Sequence, residues 1–142
     1  MPNSYEVTTW TRVANWITGR MAALGVGNFA VLTTTGRSSG EPRRVTLAPI
    51  SDADGEYLVS PYGNVAWVLN ARAQPMARLR EGRSVREVLL VDVTGTKPDL
   101  VKEYYDRESF ARRFMDVPPD ADVAAFASVG ERFPVFRIEE RR

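Results

Sequence analysis

The sequence predicts an α+β domain built around a small antiparallel β-barrel of about six strands. Short runs of β-branched and aromatic residues alternate with polar residues and are separated by turns rich in Gly, Asp and Ser. Helical periodicity is found mainly near the ends of the chain, whereas a parallel sheet would need a helix between successive strands. A chain of 142 residues has the size of one domain. We therefore expect a single unit over residues 1–142, with residues 1–9 as a flexible N-terminus.

The first half of the chain reads as a helix followed by three strands. The N-terminal amphipathic helix begins at Thr8 or Thr9 and ends at Gly25, because the apolar residues between them recur at helical spacing. A β-branched and aromatic strand over residues 28–35, a turn bracketed by Gly36 and Gly40, and an alternating strand over residues 44–50 predict a β-hairpin. The turn residues 52–55 then introduce a third strand over residues 56–60.

The second half mixes short helices with three further strands. A helix over residues 64–73 is closed by Pro75, an alternating strand covers residues 76–80, and a longer strand covers residues 85–94. Apolar residues on both faces of that longer strand predict a central position in the sheet. Thr96 as a cap and Pro98 in the first turn predict a peripheral helix from residue 96 towards residue 114.

The C-terminal part is predicted to contain a short helix and a last strand. The helix covers residues 122–129, and the strand covers residues 132–138. Pro134 has no N–H to donate, so it predicts an edge position or irregular pairing for this strand.

The composition has no cysteine and no histidine, which excludes several kinds of active site. Without cysteine the chain has no disulfide, thiol nucleophile or iron–sulfur cluster, and without histidine it has no Ser-His-Asp triad and no imidazole metal ligand. Its chemistry must come from a bound cofactor or from Ser, Tyr, Arg and carboxylate side chains. A cofactor is the simpler answer, and no metal site is expected.

The charge of the chain is nearly balanced, with 19 basic and 18 acidic residues. A nucleic-acid-binding protein would normally show a larger cationic excess, so we expect no nucleic-acid partner. The beginning of the sequence lacks the pattern of a secretory signal, which indicates a cytoplasmic protein. Trp10 and Trp16 of the N-terminal helix would suit a membrane interface, but packing of that helix against the domain is favoured.

Residues 33–44 concentrate Gly, hydroxyl and Arg side chains in one hairpin loop. Exposed backbone N–H groups beside hydroxyls and guanidinium groups are suited to an anionic phosphate. An ordinary polar hairpin tip has the same composition, so the residues alone leave both interpretations open.

Residues 60–72 place Tyr62 beside Gly63 at the start of a short helix, with Trp67 and Asn70 on one helical face. Aromatic and amide groups near a helix N-terminus are suited to a flat ring system with polar edges. For this segment taken alone, the simpler interpretation of Trp67 as a core residue is favoured.

Together, in this order and at this separation, the two segments resemble the deazaflavin-dependent nitroreductase family. The resemblance is carried by the runs 32–37 and 39–43, by Asp54-Gly55, and by the stretch 63–70 with its Trp67-Val68-x-Asn70 core. It extends over residues 10–138. It implies a split β-barrel, similar to the FMN-binding barrels of pyridoxamine-phosphate oxidases, with mostly antiparallel strands and peripheral helices.

The resemblance implies an oxidoreductase that uses the reduced 8-hydroxy-5-deazaflavin coenzyme F420. Hydride would pass from ring carbon 5 to a small hydrophobic electrophile such as a quinone, a nitroaromatic compound or an activated enone or lactone. By the same resemblance, the phosphate and lactyl-glutamyl tail would be held by Ser38, Ser39, Gly40, Pro42 and Arg43, with Arg37 shaping the loop. The deazaflavin edge would be lined by Ser60, Pro61, Tyr62, Gly63 and Asn64, and the pocket would be closed by Trp67 and Asn70.

Two positions depart from the family pattern, since Ser38 and Pro61 stand where many relatives have lysine. Two cations for the cofactor tail are therefore missing. The cofactor binds more weakly here unless nearby arginines replace them, namely Arg37, Arg43, Arg44 or Arg72.

The reduced acceptor must be protonated, and without histidine the available acids are tyrosine and water. Tyr62 is the first candidate. Tyr104 and Tyr105 are the second, because relatives place tyrosines of this region over the substrate. Tyrosines on an amphipathic helix are more often core or rim residues.

Two other functions stay open on the sequence alone. One is an FMN-dependent reductase or oxidase on the same fold, and the other is a non-catalytic F420 carrier. The chain is expected to be a monomer or a homodimer.

Overall fold

Seven strands form one curled antiparallel sheet in the computed structural model, which describes residues 29–108, 112, 114–118 and 120–140. They are β1 (Ala30–Thr35), β2 (Pro42–Leu47), β3 (Ile50–Asp52), β4 (Gly55–Val59), β5 (Met76–Glu81), β6 (Ser84–Asp92) and β7 (Val135–Glu140). Their order across the sheet is β2-β1-β5-β6-β7-β4-β3, and all neighbouring pairs are antiparallel. This architecture is a split β-barrel with a few helices, which confirms the predicted fold class.

Three helices accompany the sheet in the described residues. They are α1 (Ala66–Ala73), α2 (Pro98–Arg107) and α3 (Val123–Ser128), and a 3-10 turn (Gly130–Arg132) follows α3. Pro98 occupies the first turn of α2, where its missing N–H would have no helical partner. The Asp122 side chain caps α3 by accepting a hydrogen bond from the Ala125 N–H at 2.9 Å. The predicted N-terminal helix and residues 1–9 lie outside the described residues.

The sheet has seven strands where six were predicted, because the predicted strand over residues 44–50 is two strands. β2 begins earlier, at Pro42, and ends at Leu47, and β3 begins at Ile50. The interruption contains Pro49, which has no N–H to donate to a ladder.

The predicted edge position of the last strand is wrong. β7 begins at Val135, so Pro134 precedes the ladder, and its carbonyl accepts a hydrogen bond from the Ser60 N–H at 2.8 Å. β7 lies between β6 and β4, inside the sheet. The predicted central position of the longest strand is confirmed, since β6 lies between β5 and β7.

The beginning and end of α2 also differ from the prediction. Lys97, not Thr96, precedes the helix, and the Thr96 hydroxyl donates to the Val93 carbonyl at 2.6 Å instead of capping. The helix ends at Arg107, with Glu108 as its C-cap, and does not continue towards residue 114.

Buried side chains form two clusters, which lie on opposite faces of β4 and β7. The first lies between the sheet and α1 and includes Leu32, Trp67, Leu79, Val88 and Phe136. The second lies between α2, α3 and the β3–β4 hairpin and includes Tyr57, Tyr104, Tyr105, Phe126 and Phe133. Full burial of one such side chain stabilises the fold by roughly 1.5–3 kcal/mol. Because α1 packs against β1 and β2, the loop between these strands lies beside the helix.

Candidate functional site

The loop that joins β1 to β2, residues 36–41, is a closed turn whose tip is exposed. The Gly36 N–H donates to the Glu41 carbonyl at 2.8 Å, and the Gly40 N–H donates to the Gly36 carbonyl at 2.8 Å. Gly40 has a φ of 72°, a left-handed conformation that glycine adopts without steric cost. Arg37, Ser38 and Gly40 are all exposed at this tip.

A buried amide on α1 joins this loop to the helix. The Oδ1 atom of Asn70 accepts a hydrogen bond from the backbone N–H of Arg37 at 3.2 Å and another from Arg37 Nη1 at 2.8 Å. Its Nδ2 atom donates to the Thr34 hydroxyl at 3.4 Å, and that hydroxyl donates to the Arg43 carbonyl at 3.5 Å. Asn70 is only 2% exposed. The structure therefore brings together residues from the two sequence segments that carry the family resemblance.

Two further arginines flank the loop. Arg43 and Arg44, at the beginning of β2, are both exposed. Neither side chain forms an ion pair with any residue that the structure describes. Their guanidinium groups are available for an anionic ligand, which fits the predicted role of Arg43.

An open groove of about 420 Å³ continues from this loop across the outer face of the sheet. Gly40 and Pro42 line its loop end, and the row Arg44, Thr33, Arg78 and Glu87 lines the strands. These four residues lie directly opposite one another across β2, β1, β5 and β6, so their side chains share one face. Arg78 Nη2 lies 3.6 Å from Glu87 Oε1, and both side chains are more than half exposed.

Sequence reasoning missed Arg78 and Glu87 because they lie on strands far from the loop in sequence. Alternation along β5 indicated only that Arg78 shares a face with Met76. Arg78 lies beside Thr33 because β5 pairs with β1, and Glu87 lies beside Arg78 because β6 pairs with β5. No local sequence pattern specifies these pairings.

The second segment begins with a loop, residues 60–65, that leads from β4 into α1. Ser60 is fully buried, and its hydroxyl donates to the Gly63 carbonyl at 2.7 Å. Gly63 has a φ of 80°, and the Val65 N–H donates to the Gly63 carbonyl at 2.9 Å. Pro61 is buried, whereas Asn64 is exposed. Ser60 and Pro61 thus shape this loop from inside, and Tyr62 and Asn64 lie towards its surface.

Asn64 is held by a basic side chain of α1. Arg72 Nη1 donates to Asn64 Oδ1 at 2.8 Å, and Arg72 Nε donates to Asp92 Oδ2 at 2.9 Å. Burial acts to raise the pKa of Asp92, but hydrogen bonds from Thr94 and Arg72 outweigh it and lower that pKa below its usual value. Arg72 is therefore engaged by Asn64 and Asp92, and its predicted role as a substitute for a missing lysine of the cofactor tail stays a prediction.

The three predicted tyrosines differ in burial. Tyr62 is half-buried and meets the ring of Phe114 edge-on, with centroids 4.9 Å apart. Tyr104 is 2% exposed, and burial, followed by the influence of Tyr62 and Glu108, raises the pKa of Tyr104 above its usual value. Tyr105 packs against Phe126 in the second core cluster. Tyr62 is the most accessible of the three.

Trp67 lies in the first core cluster. It is 5% exposed, and its ring packs against Phe136 with centroids 5.4 Å apart. This placement matches the core interpretation of Trp67, and its predicted role in closing a cofactor pocket stays a prediction.

A match to a known protein family adds functional information to the geometry of the two loops. A family model described as F420H(2)-dependent quinone reductase matches residues 6–116 of the chain. The matched range includes both the loop over residues 36–41 and the loop over residues 60–65.

Solved structures share the fold at low sequence identity. An F420-H2-dependent reductase, FDR-A, is 21% identical, with a TM-score of 0.52, over 79% of this chain and 94% of that chain. General Stress Protein 26 from Bacillus anthracis str. Sterne is 12% identical, with a TM-score of 0.58, over 83% of each chain. A structure described as a domain-swapped dimer is 22% identical, with a TM-score of 0.53, over 92% of this chain and 97% of that chain. At these identities the likeness supports the fold.

No helix in the described part of the chain is long and apolar enough to cross a membrane. The proposed membrane contact of the N-terminal helix falls outside the described residues.

Proposed function

Because the chain belongs to the F420H(2)-dependent quinone reductase family, we propose that it transfers a hydride from reduced F420 to a quinone. The enzyme class, an F420-dependent oxidoreductase, follows from the family itself. The acceptor is the proposed part, with nitroaromatic compounds and activated enones or lactones as further candidates. The family match over residues 6–116 is the single observation that carries the choice of a quinone. The Arg37–Asn70 contact supports cofactor binding, since it joins the two predicted cofactor-binding segments.

The side chains of the loop at residues 36–41 and of early β2 have the chemistry that the cofactor requires. F420 carries a phosphate and a carboxylate-rich tail, and these groups need cationic and hydrogen-bonding donors. Arg37, Arg43 and Arg44 are exposed there, and nothing lies within 4 Å of the position that a Cβ on Gly40 would take. This open space lets a ligand approach the backbone.

In the proposed complex, this loop and the beginning of β2 hold the anionic part of F420. The donors are Arg37, Ser38, Ser39, Gly40 and Arg43, and Pro42, which has no N–H, contributes by its shape. The exposed guanidinium of Arg44 on β2 supplies a further cation in a chain where Ser38 stands in place of the lysine of many relatives. Arg44 also lines the groove on the outer face of the sheet, so the tail has a path away from the loop.

The loop over residues 60–65 would line the edge of the deazaflavin ring. Ser60 and Gly63 fix the shape of the loop, and Tyr62 and Asn64 are the side chains closest to its surface. When bound, reduced F420 supplies a hydride from ring carbon 5. Hydride addition to a quinone leaves an anionic oxygen, and the proposed role of the Tyr62 hydroxyl is to donate a proton to that oxygen. Water then returns a proton to Tyr62.

The proposal is tested by fluorescence titration of the purified protein with F420 and, separately, with FMN. Each titration is followed by turnover with a quinone and with a nitroaromatic compound. We expect selective F420 binding and faster turnover with the quinone. FMN binding in place of F420 would overturn the proposal, and F420 binding without turnover of either acceptor would favour a carrier.

A further inference from the structure

Asn70 occupies an unusual position for a polar side chain, because it is almost completely buried and yet contacts an exposed arginine. Both heavy atoms of its amide group are used. Oδ1 accepts from the backbone and the side chain of Arg37, and Nδ2 donates to Thr34. In the described part of the chain, no buried side-chain N or O atom lacks a hydrogen-bond partner. A buried amide whose oxygen and nitrogen both have partners favours one geometry, because losing a partner is costly.

The contact orients the Arg37 guanidinium without neutralising it. An arginine side chain has five N–H donors in a planar fork, and Asn70 accepts from one nitrogen, Nη1. Arg37 forms no ion pair with a described acidic residue, so its charge is not compensated within this part of the protein. A neutral amide therefore holds the group in place and leaves its charge and remaining donors for a ligand.

The Asn70 amide is also linked by hydrogen bonds to β2, the strand that follows the loop. Through the Thr34 hydroxyl it is linked to the backbone carbonyl of Arg43. One buried side chain therefore contacts both the guanidinium of Arg37 and, through Thr34, the backbone of Arg43 at the beginning of β2. An arginine held in place suits a phosphate better than a free one, because less side-chain freedom is lost on binding.

We propose that Asn70 is a positioning residue that orients Arg37 for the anionic part of the cofactor and leaves the charge of Arg37 unpaired within the described part of the protein. This inference rests on the proposed function, because it takes F420 as the ligand. It also accounts for a neutral residue at position 70, where an aspartate would pair with Arg37 and cancel its charge.

The test compares F420 with its deazaflavin fragment that lacks the phosphate and the glutamyl tail. Asn70→Asp keeps the shape of the side chain but introduces a carboxylate beside Arg37. We expect the ratio of the F420 Kd to the fragment Kd to rise at least tenfold. The KM for F420 should rise by a larger factor than kcat falls. Lys102→Gln, on the exposed side of α2, is the control and should leave the Kd ratio unchanged.

Arg37→Met removes the other partner of the contact at a surface position, so it keeps the inference falsifiable if Asn70→Asp does not fold. This variant should raise the same Kd ratio at least tenfold. If Asn70→Asp folds, adding it to Arg37→Met should change the ratio no further. An unchanged ratio in Arg37→Met, or an effect of Asn70→Asp that persists without Arg37, would overturn the inference. If the parent protein binds neither F420 nor the fragment, that result would instead overturn the proposed function.

Discussion

Arg72 and Asp92 form an ion pair with 2.9 Å between Nε and Oδ2, and the same guanidinium donates to Asn64 at 2.8 Å. Asp92 is the last residue of β6, and Asn64 lies in the loop before α1. The pair therefore connects the end of a central strand to the loop that is proposed to line the deazaflavin ring.

Arg72→Ala should release Asn64 and weaken F420 binding severalfold. The free energy of unfolding should fall by no more than about 1 kcal/mol, because both charged side chains of the ion pair are about one-third exposed. Urea unfolding and fluorescence titration measure the two effects separately. Lys102→Ala removes an exposed ion pair on α2 and is the control. A loss of stability with an unchanged Kd would show that Asn64 does not contact the cofactor.

Arg43→Ala should weaken F420 binding by about 1.5–3 kcal/mol, the usual contribution of a hydrogen bond to a charged group. Arg83→Ala is the matched control, since Arg83 is an exposed arginine in the turn between β5 and β6. Titration at low and high salt should show a smaller salt dependence for Arg43→Ala than for the parent protein. Equal Kd values for Arg43→Ala and Arg83→Ala would rule out the proposed phosphate contact.

Tyr62→Phe should lower kcat for quinone reduction by about 10²–10⁴, the range that general acid catalysis contributes. Tyr104→Phe should have a smaller effect, because Tyr104 is buried and its raised pKa makes it a weaker acid. Stopped-flow measurement of F420 oxidation with a quinone compares the two variants. A larger loss of kcat in Tyr104→Phe than in Tyr62→Phe would indicate that Tyr104, on α2, is the proton donor.

Acid should weaken the attachment of α2 to the β3–β4 hairpin. Lys97 Nζ lies 2.5 Å from Asp52 Oδ2 and 3.0 Å from Asp54 Oδ2, and the hydrogen bond from Lys97 lowers the pKa of Asp52 below its usual value. A lowered folded-state pKa stabilises the fold above the unfolded-state pKa of about 3.9, and this stabilisation is lost as pH falls through the folded-state value.

Asp52→Asn should therefore reduce the loss of stability between about pH 5 and pH 2. Urea unfolding at several pH values measures this slope, with Asp106→Asn as a control on the exposed side of α2. The same slope in Asp52→Asn and in the parent protein would contradict the expected role of this carboxylate.

The sequence predicted the elements that local chemistry determines. Alternation identified most of the strands, Pro98 indicated the first turn of α2, and apolar residues on both faces identified β6 as a central strand. Pro134 gave the wrong edge position because its missing N–H falls just before β7, where no ladder bond is needed. The separate strand β3 was missed because its three residues are too few for an alternating pattern.

The predicted site residues lie in two loops and on the neighbouring β2, α1 and α2, and their mutual arrangement could not be predicted from the sequence. Arg37 and Asn70 are 33 positions apart, and only the packing of α1 on β1 and β2 brings them together. The amide of Asn70 contacts the loop, and its predicted role in closing the pocket stays a prediction. The pairing of Arg72 with Asp92 joins residues 20 positions apart, which no local pattern indicates.

The eight-residue helix α1 contributes side chains to both loops of the candidate site. Asn70 and Arg72 are two positions apart, so they project about 200° from each other around the helix axis, one towards the β1–β2 loop and the other towards Asn64 and Asp92. A change that shifts this helix would disturb cofactor affinity and ring placement at once. Directed evolution towards new acceptors should therefore keep α1 constant, and it should monitor F420 binding whenever the surroundings of Tyr62 are varied, because the loop of Tyr62 is proposed to line the deazaflavin ring.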